Sequence, residues 1–274
     1  MRGCLTLARS VAMIRIVSQG TALVTGAASG IGAIYAHRLA RRGYDLILVD
    51  SRPLQTLAEW LKRDTRRNVE ILAADPGTPS GLSAVEDRLI LEERLTALVN
   101  NGSAGARVPS FSPGSGHASD LIARNVGVPA RLAYAAAGGF AERGVGTIVN
   151  VAPVAPPMPA GIPGTEDGGK ALFLDIGRVL HEELHSRGVR IQMVVPDAAA
   201  SAVWHVAGDA LEDLSQEVLL LAEAMVDQAL AALDQDFTTA RPSIPQVRDW
   251  EGFEKQAAQA SFARFARPAL VEIA

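Results

Sequence analysis

The chain predicts an α/β fold, a doubly wound parallel sheet of about seven strands with helices on both faces. Short apolar runs recur along the sequence, longer segments with apolar residues at helical spacing separate them, and the two alternate from Thr21 to about Thr238. Strands covered on both faces read as unbroken apolar runs, and crossover helices between parallel strands produce this alternation. With 274 residues, 48% of them hydrophobic, the chain can bury a large core, and one domain is expected over 19–274.

The first unit is the run Ala22-Leu23-Val24, a glycine-rich turn, a helix from Ile31 to Arg42 stopped by Gly43, and a strand from Asp45 to Asp50. Leu54 to Arg63 is helical, Val69 to Ala73 is a strand ending at Asp75-Pro76, and Leu82 to Leu91 is the next amphipathic helix. Leu95 to Val99 forms a fourth strand and runs into Asn100-Asn101-Gly102-Ser103 and a Gly/Ser/Pro loop. A long helix from about Ala118 to Glu142, the strand Thr147 to Val151 and a passage with Pro153, Pro156, Pro157, Pro159 and Pro163 follow, and so many prolines exclude regular structure there. Lys170 to His185 is helical, Val189 to Val195 is a sixth strand ending at Pro196-Asp197, and a long helix spans about Leu214 to Leu233. A short strand near Thr238 and a C-terminal amphipathic helix, expected as an extension beyond a substrate loop, close the chain.

The turn Thr25-Gly26-Ala27-Ala28-Ser29-Gly30-Ile31-Gly32 has the form of a phosphate cradle. Gly26 allows a tight exit from the strand, Gly30 lets backbone approach a pyrophosphate, and Gly32 lets the helix pack close, while amide N–H groups and the helix dipole face the anion. An acid about 20 positions on, at the end of the next strand, is expected to accept from ribose hydroxyls, and Asp50 occupies that place.

Composition narrows the rest. The 26 basic and 30 acidic residues leave a net charge of -4, which argues against nucleic acid, and no apolar run reaches the ~18 residues of a membrane span. Cys4 is the sole cysteine, so no intrachain disulfide is possible, and a cytoplasmic location is expected. His37, His117, His181 and His185 are not grouped with other ligands, so no metal is expected. Residues 1–18 carry Arg2, Arg9 and Arg15 and no acid; they read as an arm outside the fold, with a targeting segment or a start at Met13 as alternatives. Ile122, Leu132, Phe140, Phe173 and Val179 exceed the apolar surface one sheet face should absorb, which points to helices packing on their copies.

Over nearly its whole length the chain resembles the short-chain dehydrogenase/reductase superfamily. Thr25 to Gly32 matches TGxxxGxG, Asp75 the acid near adenine, Asn100 to Ser103 a variant of NNAG, Asn125 the asparagine of the catalytic group, and Lys170 the lysine of YxxxK. Pro196-Asp197 with Ser201 is similar to the PG motif and its threonine. The resemblance implies a Rossmann-type fold, a small-molecule substrate and a homodimer or homotetramer. It also implies a nicotinamide dinucleotide held by Gly26, Ser29, Gly30, Ile31, Gly32, Asp50, Asp75, Pro76, Asn101, Gly102, Lys170, Pro196 and Ser201. Members with an acid at the position of Asp50 usually take NAD, since a carboxylate accepts from the 2′-OH and repels a 2′-phosphate. NAD is therefore expected over NADP, with Arg52 as a residue that could bind a phosphate.

The chemical half departs from the family. The position of the catalytic tyrosine, four before Lys170, is Glu166, and the serine position thirteen before it is Pro153. The tyrosine gives a proton to the carbonyl oxygen and the serine holds that oxygen; proline has no side-chain donor, and a glutamate near pH 7 accepts rather than donates. Asn125, Glu166 and Lys170 remain as the candidate catalytic group, and His205 is a candidate acid in the loop after the sixth strand. Three readings stay open: an oxidoreductase with an unusual site, a silent cofactor-binding relative or hetero-oligomer subunit, and a non-redox lyase or isomerase with Glu166 as base.

Overall fold

The computed structural model describes residues 19–101, 122–152, 165–196, 206–207 and 209–242, with side chains for all of these except 165–171. The arm, the loop after Asn101, the proline-rich passage and the C-terminal helix expected from the sequence fall outside these residues.

Seven parallel strands form one sheet: β1 (Thr21–Thr25), β2 (Asp45–Asp50), β3 (Val69–Ala73), β4 (Leu95–Asn100), β5 (Gly146–Val151), β6 (Val189–Val194) and β7 (Thr239–Ala240). Their order is β3-β2-β1-β4-β5-β6-β7. The chain builds outward from β1 to β3, then returns to lay β4 against the other side of β1. Such a reversal opens a crevice at the carboxyl ends of the strands, where ligands of this architecture bind. The crevice lies between β1 and β4, directly over the glycine turn.

Helices cover both faces. On one lie α1 (Gly30–Arg41), α2 (Gln55–Thr65) and the last long helix, and on the other α3 (Pro79–Leu91), α4 (Val128–Arg143) and α5 (Thr165–Leu184); the last long helix, α6, is Gln216–Asp234. Alternate residues of each central strand feed the two cores. Ala22 and Val24 of β1 join the first, while Leu23 joins the second.

Several boundaries differ from the sequence reading: α5 begins at Thr165 rather than Lys170, and two others have a visible local cause. Helix α3 begins at Pro79 rather than Leu82, because the Thr78 hydroxyl accepts from the Gly81 N–H and Pro79 occupies a first-turn position where no N–H is missed. The long helix before β5 is not uniform: Ala123–Gly127 is a π turn that precedes α4. Pro129 has no N–H to give the Asn125 carbonyl, so the ordinary ladder breaks at the asparagine, and the Val128 N–H reaches back to Ala123 instead.

The apolar residues taken as interface candidates divide differently in space. Leu132, Phe140 and Phe173 are buried against the sheet and belong to the second core, because both helices turn their widest apolar stripe inward. Ile122 is exposed, as are Tyr134 of α4 and Leu172 of α5.

Between α1, α2 and α6 runs a charged network. Arg38 sends Nε and Nη2 to the two Asp227 oxygens at 2.7 and 3.0 Å and Nη2 to Glu223 at 3.1 Å. Its Nη1 also lies 3.1 Å from His37 Nδ1. Arginine can only donate, so His37 Nδ1 accepts, and the ring proton sits on Nε2, 3.0 Å from Asp64 Oδ2.

Candidate active site

The glycine turn is held by a nearly complete set of its own hydrogen bonds. The Ala27 N–H goes to Val49 O at 3.1 Å, Ala28 N–H to Asp50 Oδ2 at 3.0 Å, Ser29 N–H to Gly26 O at 3.1 Å and Gly32 N–H to Ser29 Oγ at 3.0 Å. The Ser29 hydroxyl donates to Gly26 O at 2.8 Å and accepts from Asn101 Nδ2 at 3.0 Å as well as from Gly32. Ser29 therefore acts as the helix cap of α1, with its hydroxyl proton committed inside the turn. The Ile31 N–H finds no protein acceptor among the described residues. A single free amide at a helix N-terminus, inside a rigid turn, is a built donor for a phosphate oxygen.

Two glycines are required by contact as well as by conformation. Gly26 has φ +62°, and a Cβ on Gly32 would strike the Gly26 carbonyl, so α1 can start this close to the turn only with glycine at both places. Gly30 has a different neighbour from the one its motif suggests. Its Cβ would strike Leu214 Cδ1 and come within 2.9 Å of Ala207 O. Its N–H donates to Asp209 O at 3.2 Å, and Leu211 N–H donates to Ala28 O at 3.0 Å, so residues 209–214 form a strap fastened along the turn.

Asp50 closes β2 beside the turn and is buried. Four donors reach its carboxylate. Oδ1 takes the Arg52 N–H at 3.0 Å and Arg52 Nε at 3.1 Å, and Oδ2 takes the Ala28 N–H at 3.0 Å and Arg52 Nη2 at 3.2 Å. A carboxylate offers about four lone-pair sites, so the acid meant to receive a ribose hydroxyl is already filled, chiefly by Arg52. The expectation of NAD over NADP rested on a bare carboxylate, and the structure presents a guanidinium laid across it.

The other cofactor candidates line the same edge. Asp75 follows β3 and is exposed; its Oδ1 accepts from Gly77 N–H at 2.8 Å, and Pro76 lies within that turn. Asn101, just past β4, ties two strands together: its N–H reaches Thr25 Oγ1 at 3.1 Å and its Nδ2 reaches Gly26 O at 3.2 Å. Pro196 is buried just past β6. Gly102, Ser201, Pro153 and His205 lie outside the described residues.

Of the catalytic candidates, Asn125 sits in the π turn before α4 and its Oδ1 is buried with no partner among the described residues. Helix α5 packs against that turn and carries Glu166 and Lys170 in its opening turns, four residues apart and so on one face. Sequence reasoning placed Asn100 in the NNAG-like stretch and passed over Asn150, with which it pairs in register near the ends of β4 and β5. Asn100 Nδ2 donates to Asn150 Oδ1 at 2.8 Å and to Pro129 O at 3.1 Å, which anchors the start of α4 to the sheet under the crevice. An asparagine within the last two residues of each of two apolar strands was the signal available for this pair. The strap had none, because it is held by backbone.

A family model for short chain dehydrogenases matches residues 20–211. A very-long-chain 3-oxoacyl-CoA reductase of Coccidioides immitis is 30% identical over 68% of this chain and 55% of its own length. The human protein named inactive hydroxysteroid dehydrogenase-like protein 1 is 25% identical over 66% of this chain and 56% of its own. The chain thus spans little more than half the length of these curated relatives. Among solved structures, a short-chain dehydrogenase from Sphingobium yanoikuyae in complex with NADPH is 31% identical with a TM-score of 0.64, covering 93% of this chain and 99% of that one. The bulky-bulky ketone specific alcohol dehydrogenase from Comamonas testosteroni is 29% identical with a TM-score of 0.66, covering 93% and 97%. The family model spans more than half of the chain, from the first strand to the strap beside the glycine turn, and this chain belongs to the short-chain dehydrogenase family.

Proposed function

We propose that the chain is a nicotinamide-dinucleotide-dependent oxidoreductase that accepts NADP(H) at least as well as NAD(H) and acts on a small alcohol or carbonyl compound. The preorganised turn with its free Ile31 N–H carries the first part, and the Arg52 clasp on Asp50 carries the second. A bound dinucleotide supplies hydride donation or acceptance. Ile31 and the N-terminus of α1 hold its phosphates, Arg52 meets the 2′ position, and Asn101 keeps the turn in shape.

The proton partner in this reading is Glu166, which occupies the tyrosine position near the start of α5, four residues before Lys170. As a carboxylate it takes the hydroxyl proton of an alcohol as hydride leaves, and the same group, protonated, returns that proton when hydride arrives. A glutamate of ordinary pKa is a carboxylate near pH 7, so alcohol oxidation is the direction this reading puts first.

The silent-relative reading draws on Pro153, which removes the oxygen-holding donor altogether, and on a curated relative named as inactive. One experiment separates the two. Nucleotide absorbance is followed for the wild type, Glu166→Gln, and the double variant Pro153→Ser/Glu166→Tyr over panels of alcohols and ketones. Loss of a working acid or base lowers turnover by ~10²- to 10⁴-fold, so alcohol oxidation abolished in Glu166→Gln supports the enzyme. Activity absent in the wild type and gained only in the double variant supports the silent relative.

A further inference from the structure

The face that carries α1 and α6 holds a cavity of about 180 Å³ opening at the edge where the strands begin, away from the glycine turn. Its floor is Ala97 and Val99 of β4 and Val149 of β5, and its apolar wall is Leu230 and Leu233 of α6. Arg42, Tyr44, Arg190 and Asp234 stand around it.

The charges there do not cancel. Arg42 Nη1 and Nη2 take the two Asp234 oxygens at 2.8 and 2.9 Å, so that carboxylate is satisfied. Arg190, half-buried at the start of β6, donates Nη2 to the Thr147 hydroxyl at 3.1 Å and has no carboxylate partner among the described residues. A guanidinium drawn out of water normally has an anion beside it. Burial first of all raises the pKa of Tyr44 above its ordinary value, with Arg190 and Arg42 opposing the shift, so the group beside them is a neutral hydroxyl with a proton to give. The C-terminal ends of α1 and α6 also meet this rim and disfavour an anion, which leaves Arg190 as the group that would hold one.

We propose that this cavity binds a small monocarboxylate with an apolar body of benzoate size, its carboxylate on Arg190 and the Tyr44 hydroxyl and its ring against Val149, Leu230 and Leu233. An apolar cavity of about 150 Å³ holds a benzene ring, so the volume suits one ring and little more. The site is separate from the dinucleotide turn and does not depend on the nucleotide reading.

The test is titration of the full chain with sodium benzoate, followed by amide NMR shifts at Tyr44, Thr147 and Arg190, with and without NADPH. Benzyl alcohol and benzylamine serve as neutral and cationic ligands of the same shape. Benzoate is expected to bind about tenfold tighter than either, and Arg190→Gln to remove that advantage, since a charge-assisted fork is lost. Asp234→Asn, at the exposed end of α6, releases Arg42 and is expected to tighten benzoate, which keeps the test decisive if Arg190→Gln does not fold. Equal binding of benzoate and benzyl alcohol, displacement of benzoate by NADPH, or no shift with millimolar benzoate would each overturn the proposal.

Discussion

Removing the Arg52 side chain should reverse the nucleotide preference. In the structure Arg52 gives two side-chain bonds to Asp50, at 3.1 and 3.2 Å, and its side chain is 40% exposed. With NADP(H), the guanidinium must turn from Asp50 to the phosphate, leaving Asp50 with the Ala28 and Arg52 amides. A hydrogen bond to a charged group is worth about 1.5–3 kcal/mol net, and exposure places this one at the low end, so Arg52→Ala should weaken NADPH about tenfold. The same change frees one site on each Asp50 oxygen for a ribose hydroxyl. At about 1 kcal/mol for one such bond, NADH should tighten roughly fivefold. The ratio of the two dissociation constants should therefore move by about 50-fold in favour of NADH. Calorimetric titration of wild type and Arg52→Ala with both nucleotides measures it. A wild type that already prefers NADH, or a variant in which both affinities change equally, would show that Arg52 does not read the 2′ position.

Gly30→Ala should destabilise the chain by about 1–3 kcal/mol by driving a methyl into Leu214 and the strap, and faster hydrogen exchange at the Leu211 amide would report the loosening. Adding Leu214→Ala should restore part of that loss; a double variant no more stable than Gly30→Ala would separate the strap from Gly30. His37 should make stability fall as pH drops. Burial lowers its pKa below 6.5 despite the Asp64 bond, so its contribution is full above pH 6.5 and is lost as pH falls through 6.5 toward the folded value. Glu223, raised by burial above 4.5 despite Arg38, acts in the opposite sense at lower pH. Melting temperatures of wild type and His37→Gln should run parallel from pH 7.5 to 6.5 and converge from pH 6.5 to 5.5 as the wild type loses this contribution, and curves that stay parallel throughout would exclude the histidine.

The fold was legible because its signals are local and repeated. Runs such as Leu46-Ile47-Leu48-Val49 are covered on both faces, and no other arrangement of apolar residues competes with a central strand. Boundaries failed where a cap outranked periodicity, as at Thr78-Pro79, and where a proline acted at a distance of four residues, as Pro129 does on Asn125. The site was legible in position and less so in purpose. Gly30 is a glycine for the sake of Leu214, 184 residues away in sequence, and a contact of that range leaves no local trace. Asp50 could be read as an acid at the right place, but its occupation by Arg52 depends on a rotamer.

Asn125 shows how the two halves of the site are joined. Pro129 breaks the backbone ladder at the asparagine, and the Asn125 side-chain Oδ1 is buried with no partner among the described residues. The same proline offers its carbonyl to Asn100, whose other bond goes to Asn150. One residue thus fixes the π turn to the ends of β4 and β5, and Asn101 next in sequence fixes β4 to the glycine turn through Thr25, Gly26 and Ser29. The polar bonds that join the nucleotide end to the Asn125 end run between Asn100, Asn101, Asn150, Pro129 and the glycine turn. The residues that would bind the dinucleotide are thus different from positions 153 and 166, where the proton chemistry departs from the family, which is why nucleotide binding and turnover have to be measured separately in this protein.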